Sequence, residues 1–152
     1  MKCNPRNFLI SLTILLLMGC TGGTLQEGAA KTTVWVTLDD DPVEAAAVVF
    51  TPASQGRSAS GMTDENGRCE MGTSNYGDGV FPGVYQVTVS KSIDDPDSVA
   101  EVSEEYDGRG IPPSAKQIYL VPKKYISPTT SGLTVTVQEG KENKVELELH
   151  SK

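Results

Sequence analysis

Cysteine is scarce in this chain of 152 residues: it occurs three times, at Cys3, Cys20 and Cys69. Histidine is scarcer still, with His150 alone, and Trp35 is the single tryptophan. These shortages exclude several classes of chemistry. Cys3 lies in the N-terminal segment that Cys20 closes, so Cys69 is the one thiol left for the folded part. No internal disulfide can form there, and the fold must rest on its core. A structural zinc site needs a full set of Cys and His ligands, and Cys69 with His150 does not supply one. A Ser–His–Asp relay would depend on His150 near the C-terminus, and no Gly-x-Ser-x-Gly elbow accompanies it. Cys69 has no histidine near it in sequence to act as a base, so its expected role is a small side chain filling a strand. The chain is expected to be non-enzymatic and to need no cofactor.

Positive charge is also short. Lys and Arg number 13 against 20 Asp and Glu. Loss of Lys2 and Arg6 with an N-terminal signal would leave 11 basic and 20 acidic residues, a net charge of −9. Such a surface repels polyanions, which excludes nucleic acid as a partner. Long apolar runs are missing too. The longest, Phe8 to Met18, is interrupted by Ser11 and Thr13. It is about 11 residues long, where a membrane-spanning helix needs about 20.

That short run has a different meaning. Lys2 and Arg6 precede it, and Leu17-Met18-Gly19-Cys20 closes it. A positive start, a short apolar stretch and a small residue directly before cysteine form the pattern of a bacterial lipoprotein signal. Residues 1–19 are expected to be removed, and the thiol of Cys20 to carry the lipid. Thr21 rather than Asp follows the cysteine, which favours the outer membrane of the cell envelope over inner-membrane retention. More than one acyl chain, at about 0.8 kcal/mol per buried methylene, would hold the protein on the membrane. Residues 20–31 are expected to form the lipidated cysteine and a flexible tether.

Beyond the tether nearly every segment has a strand pattern. Thr32–Leu38 alternates, with Val34, Val36 and Leu38 on one face and Thr33, Trp35 and Thr37 on the other. Further strands are expected at 44–51, 56–63, 68–72, 83–90, 117–121, 133–137 and 144–150. Prolines and the Val48-Val49-Phe50 run argue against a helix at Ala45-Ala46-Ala47. Asp64-Glu65-Asn66-Gly67 and Glu139-Gly140-Lys141-Glu142-Asn143 are expected to be hairpin turns. Lys144, Glu146, Glu148 and His150 alternate outward on the last strand, where charge discourages edge-to-edge association. Roughly seven to eight short strands without a long helix predict an all-β, two-sheet antiparallel sandwich over residues 32–150. Its expected core is Val34, Val36, Leu38, Val48, Phe50, Tyr85, Val87 and Val89, completed by Ile118, Leu120, Leu133, Val135, Val137, Val145, Leu147 and Leu149. Residues 92–114 break the pattern. They hold Asp94, Asp95, Asp97, Glu101, Glu104, Glu105 and Asp107 against the single base Arg109. This long acidic loop is expected to be solvated or functional.

Several phrases together resemble one family. They are Asp41-Pro42-Val43 with Ala47-Val48-Val49-Phe50-Thr51-Pro52, then Thr63-Asp64-Glu65-Asn66-Gly67, and Pro82-Gly83-Val84-Tyr85-Gln86-Val87-Thr88-Val89. Val121-Pro122-Lys123-Lys124-Tyr125 follows, with Thr130-Ser131-Gly132-Leu133-Thr134. In this order they are similar to the carboxypeptidase-regulatory-like, or transthyretin-like, domains of bacterial surface lipoproteins. The resemblance runs from about Val34 to Leu149. It implies a seven-stranded Greek-key sandwich and a non-catalytic role. A related branch, the hydroxyisourate hydrolases, uses several histidines and a C-terminal Tyr-Arg-Gly-Ser; this chain has His150 alone and ends Leu149-His150-Ser151-Lys152.

Candidate ligand sites are few. Asp39, Asp40 and Asp41 could place carboxylates around calcium, and Asp94, Asp95 and Asp97 offer a second acidic group. Neither has the Asp-x-Asp-x-Asp-Gly spacing of a calcium loop. Trp35 could stack on a sugar if its ring faces outward. The function expected is an interaction or structural module anchored through Cys20, with an envelope protein as partner. The alternative is a glycan- or calcium-binding accessory module of an envelope system.

Overall fold

The computed structural model describes residues 24–98 and 115–152. The signal expected over 1–19, the lipid site at Cys20 and residues 99–114 of the acidic segment lie outside the described residues.

Among the described residues ten strands follow in chain order. They are β1 (Thr32–Leu38), β2 (Asp41–Pro42), β3 (Ala47–Pro52), β4 (Ala59–Met62), β5 (Arg68–Glu70), β6 (Gly83–Ser90), β7 (Ser92–Asp94), β8 (Gln117–Tyr119), β9 (Leu133–Val137) and β10 (Asn143–Leu149). Eight of them form two four-stranded sheets around one core. In the first sheet β10 lies beside β1, whose other edge carries β2 and β5. The second has the order β4-β3-β6-β9. β7 and β8 pair with each other in a ribbon apart from both sheets.

The alternation in the sequence sorts side chains as expected. Val34 and Val36 of β1, Cys69 of β5, and Leu147 and Leu149 of β10 are buried in one common core. Val48 and Phe50 of β3, Tyr85, Val87 and Val89 of β6, and Val137 of β9 belong to the same core. Each fully buried aliphatic side chain contributes about 1.5–3 kcal/mol before entropy is set against it. The Phe50 and Tyr85 rings pack at 5.8 Å between centroids. The Tyr85 hydroxyl donates to the Phe81 carbonyl at 2.8 Å, so the ring is buried without an orphaned polar atom. Leu38, Leu133, Val135 and Val145 are partly buried against this core.

Two of the expected core residues lie elsewhere. Ile118 and Leu120 are 42% and 43% exposed, because their segment forms the β7–β8 ribbon and its exit rather than a sandwich strand. Their places are taken by residues between the clear strands: Val43, Ala46, Ala59, Met71, Val80, Val121 and Tyr125.

The pairing differs from an all-antiparallel sandwich at one point. β1 and β10 run parallel, with Val34 opposite Val145, Val36 opposite Leu147 and Leu38 opposite Leu149. Every other strand pairing among the described residues is antiparallel. The two expected hairpins are also different. β4 and β5 belong to different sheets, as do β9 and β10. The turns at 64–67 and 138–142 therefore carry the chain across the core from one sheet to the other.

The first crossing is tightly built. Asp64 Oδ1 accepts from the backbone N–H groups of Asn66 and Arg68 at 2.9 and 3.0 Å. Gly67 takes φ +70°, and a Cβ there would lie 2.5 Å from the Val36 carbonyl oxygen. Only glycine meets both demands. The entry to β3 is held similarly. Ala45 takes a positive φ of 52°, and the buried Thr63 hydroxyl accepts from Ala46 N–H at 2.8 Å while donating to the Val43 carbonyl at 2.6 Å. The strand consequently starts at Ala47, not at Glu44.

The connection before β9 is a 3-10 turn (Lys123–Ile126) followed by a one-turn helix, α1 (Pro128–Ser131). Pro128 suits the first helical position and Gly132, at φ +67°, closes the helix in the left-handed conformation. Tyr125 is buried beneath this connection, and its hydroxyl accepts from His150 N–H at 3.0 Å.

The expected tether is shorter than residues 20–31. Gln26 N–H donates to the Asp78 carbonyl at 2.9 Å, Ala30 bridges to Val80, and Ala30 is buried. The chain is thus docked on the domain from Gln26 onward.

Candidate binding site

A surface concavity lies on the outer face of the second sheet. Residues of β3 and β4 that point away from the core form its floor: Ala47 stands opposite Met62, and Val49 opposite Ser60. The loop from Gly72 to Tyr76 forms its wall. The cleft encloses about 380 Å³, within the roughly 300–1,000 Å³ of small-ligand sites.

Asp78 organises the wall. Its carboxylate accepts from the backbone N–H groups of Thr73 at 2.6 Å, Ser74 at 3.1 Å and Asn75 at 2.8 Å. The side chain is buried, which by itself raises the carboxyl pKa. The donors from Thr73, Asn75 and Ser74 reverse that effect and hold the carboxyl below its ordinary 3.8. Thr73 Oγ1 also donates to the Gly79 carbonyl at 2.8 Å. Gly72 is sterically required, since a Cβ there would fall 1.9 Å from the Asn75 carbonyl oxygen. A reciprocal pair of bonds between Ser60 and Gly72, at 2.8 and 3.0 Å, fixes the loop to the edge of β4. The sequence offers a faint signal for this loop in Gly77-Asp78-Gly79, an aspartate between two glycines. Sequence reasoning does not single out Asp78 as the residue that orders this loop.

The residues singled out in the sequence do not meet at one place. Trp35 lies half-buried on the outer face of the first sheet, opposite in direction to Val34 and Val36. Its register neighbours are Arg68 on β5 and Glu146 on β10. Arg68 is itself engaged by Glu70 at 2.7 Å. Asp39 and Asp40 are exposed in the turn after β1, with φ of 50° and 74°. Asp39 Oδ1 accepts from Ser151 N–H at 3.1 Å, and hydrogen bonding from the Ser151 side chain and then its N–H holds the carboxyl below the ordinary value. Asp41 starts β2. Asp94 sits in β7 and accepts from the Gln117 side chain, while Asp95 accepts from Asp97 N–H at 3.2 Å. Among the described residues no three Cys, His, Asp or Glu side chains gather as a metal site. Asp39 serves to tie the chain end to the end of β1.

Cys69 is 1% exposed, and its register partner on β1 is Val34. Burial pushes its thiol up to about 11. The thiol donates to Met71 Sδ at 3.7 Å. It is a packing residue, as the sequence suggested, and it is protonated at neutral pH. His150 is exposed at the chain end.

At the far end of the molecule, β7 and β8 expose Ile93, Ile118, Tyr119 and the following Leu120. Shallow clefts flank Leu120, one reaching Leu38 and Lys123, the other Asp41 and Lys91.

No family model, no curated protein and no solved structure matches this chain.

Proposed function

We propose that this protein is a lipid-anchored, non-catalytic module of the cell envelope. Acyl chains on Cys20 hold it at the outer membrane, and its folded part serves as an interaction or structural domain. The Greek-key, carboxypeptidase-regulatory-like architecture that its sequence phrases resemble belongs to the same proposal.

The observation that carries the reading is the polarity of the fold. The chain enters beside Asp78–Val80, where Gln26 and Ala30 dock, and β1 then runs from Thr32 to Leu38. The β7–β8 ribbon leaves from the other end, beside Leu38 and Asp41, through Lys91 and Leu120. Seven extended residues at about 3.3 Å each separate the two ends by about 23 Å. A protein held through Cys20 would keep the entry end toward the lipid. Its exposed apolar ribbon would then point away from the bilayer, where a partner can reach it.

Metabolic labelling with an alkyne fatty acid tests the anchor. The wild-type chain should carry label and sediment with the outer membrane, and Cys20→Ala should do neither. Equal labelling of the two would remove the anchor from the proposal. A photo-crosslinking residue at Ile118 tests the polarity. It should yield a discrete protein adduct in native membranes, whereas crosslinking chiefly to lipid would reverse the assigned orientation.

A further inference from the structure

We propose that the cleft between β4 and the Gly72–Tyr76 loop binds a neutral pyranose unit of a glycan, with the Tyr76 ring as the stacking platform. This site lies on the opposite sheet from Trp35 and does not depend on the anchoring through Cys20.

Exposure makes the first argument. Tyr76 and Met62 are the two most exposed large apolar side chains among the described residues, at 61% and 60%, and both line this one cleft. Neither is needed by the core. Water-exposed apolar surface gathered in one concavity marks a ligand site.

Rigidity makes the second. A mobile tyrosine would lose entropy on binding, but the backbone that carries Tyr76 is locked already. Asp78 accepts from three successive N–H groups ahead of it, Gly72 permits the tight bend, and the Ser60–Gly72 pair fixes the base. A site ordered before the ligand arrives keeps more of its contact energy.

The chemistry of the lining selects the ligand class. No side chain among the lining residues carries a formal charge at neutral pH. The chain as a whole has a net charge of −7, so an anion gains nothing here and is repelled at long range. Ser60 and Ser74 are exposed, and their hydroxyls have no protein partner among the described residues. Asn75 adds an amide at the same rim. A pyranose presents apolar C–H groups on one face and hydroxyls around its edge. The first suit the Tyr76 ring and Met62, and the second suit Ser60, Ser74 and Asn75. A peptide added as a further strand fits less well. The β4 edge that it would need is already occupied at Ser60 by Gly72.

Calorimetric titration of the full chain, in a non-glycosidic detergent, tests the site. The probes are three neutral hexasaccharides (maltohexaose, cellohexaose and mannohexaose) and one neutral apolar hexapeptide. At least one sugar should bind in the millimolar range or tighter. Tyr76→Ala should weaken it about tenfold or more, with an unchanged melting temperature because the ring is exposed. Tyr76→Phe should retain binding, since it keeps the stacking face. Trp35→Ala should leave binding unchanged. The proposal is overturned if no sugar binds, if Tyr76→Ala binds as well as wild type, or if Trp35→Ala abolishes binding. It is equally overturned if the peptide alone binds.

Discussion

Thr63 shows how one side chain settles a local backbone that propensity would not choose. Its buried hydroxyl joins Ala46 N–H to the Val43 carbonyl, and Ala45 between them is held at a positive φ. A left-handed alanine costs roughly 1–2 kcal/mol relative to its favoured conformations. That strain and its restraint can be separated by mutation. Thr63→Val keeps the shape but leaves a buried donor and acceptor unmatched. It should lower stability by about 1–3 kcal/mol. Ala45→Gly removes the strain at an exposed position and should raise stability, by less than about 1 kcal/mol because glycine also loosens the unfolded chain. Urea titration of the two variants checks both signs, and a stabilised Thr63→Val would refute the account. Nothing in the one-dimensional pattern marks Thr63 as a hub, since its partners are 17 and 20 residues away. Cys69 was legible for the opposite reason: a lone cysteine without a nearby histidine in an alternating segment has few roles besides packing.

At the level of elements, strands that alternate were legible and their partners were not. β1, β6, β9 and β10 follow the sequence pattern because a half-buried strand must present its apolar residues at every second position. Asn66-Gly67 fixes a chain reversal, but it does not decide whether the flanking strands share a sheet. That is decided by the partners the strands find elsewhere in the chain, β3 for β4 and β1 for β5. Ile118 and Leu120 misled for a similar reason, since alternation reports a face and not the sheet behind it. The Gly72–Gly79 loop was the least legible element, because its order comes from one carboxylate and from backbone donors that carry no sequence signature. It makes a pH-dependent prediction. The Asp78 carboxyl is held below its ordinary 3.8 in the folded state. The stability it contributes is therefore fully present above that value and is lost as pH falls through the lower, folded one. Asp78→Asn should reduce the melting temperature at pH 7. The gap from wild type should narrow steadily as pH is taken below about 4. A gap that stays constant to the acid limit would mean that the charge of Asp78 plays no part in ordering the loop.

The whole molecule is closed by its last strand. β1 receives β10 along its full length, with Val145, Leu147 and Leu149 beside Val34, Val36 and Leu38. Partners more than a hundred residues apart in sequence must meet before the first sheet has its edge, and such non-local pairing delays the return on chain entropy. The consequence is a strong asymmetry between the two faces of β10. The outward residues of β10 are dispensable: Lys144, Glu146 and Glu148 are exposed, and replacing all three by alanine should leave the melting temperature nearly unchanged. The inward residues are not. A chain ending at Glu142 loses burial of Leu147 and Leu149, worth about 1.5–3 kcal/mol each, and uncovers Val34 and Val36. Domains of this size have a net stability of only about 5–15 kcal/mol, and the lost ladder along β1 adds to the deficit. The shortened chain should therefore show no cooperative thermal transition, bind a hydrophobic dye and be digested quickly by protease. If it instead unfolds cooperatively near the wild-type temperature, β10 is an appendage and the second sheet carries the fold alone. The triple alanine variant keeps that test specific. It retains every inward residue, so a loss of folding there would implicate strand propensity or edge charge rather than the closure of the core.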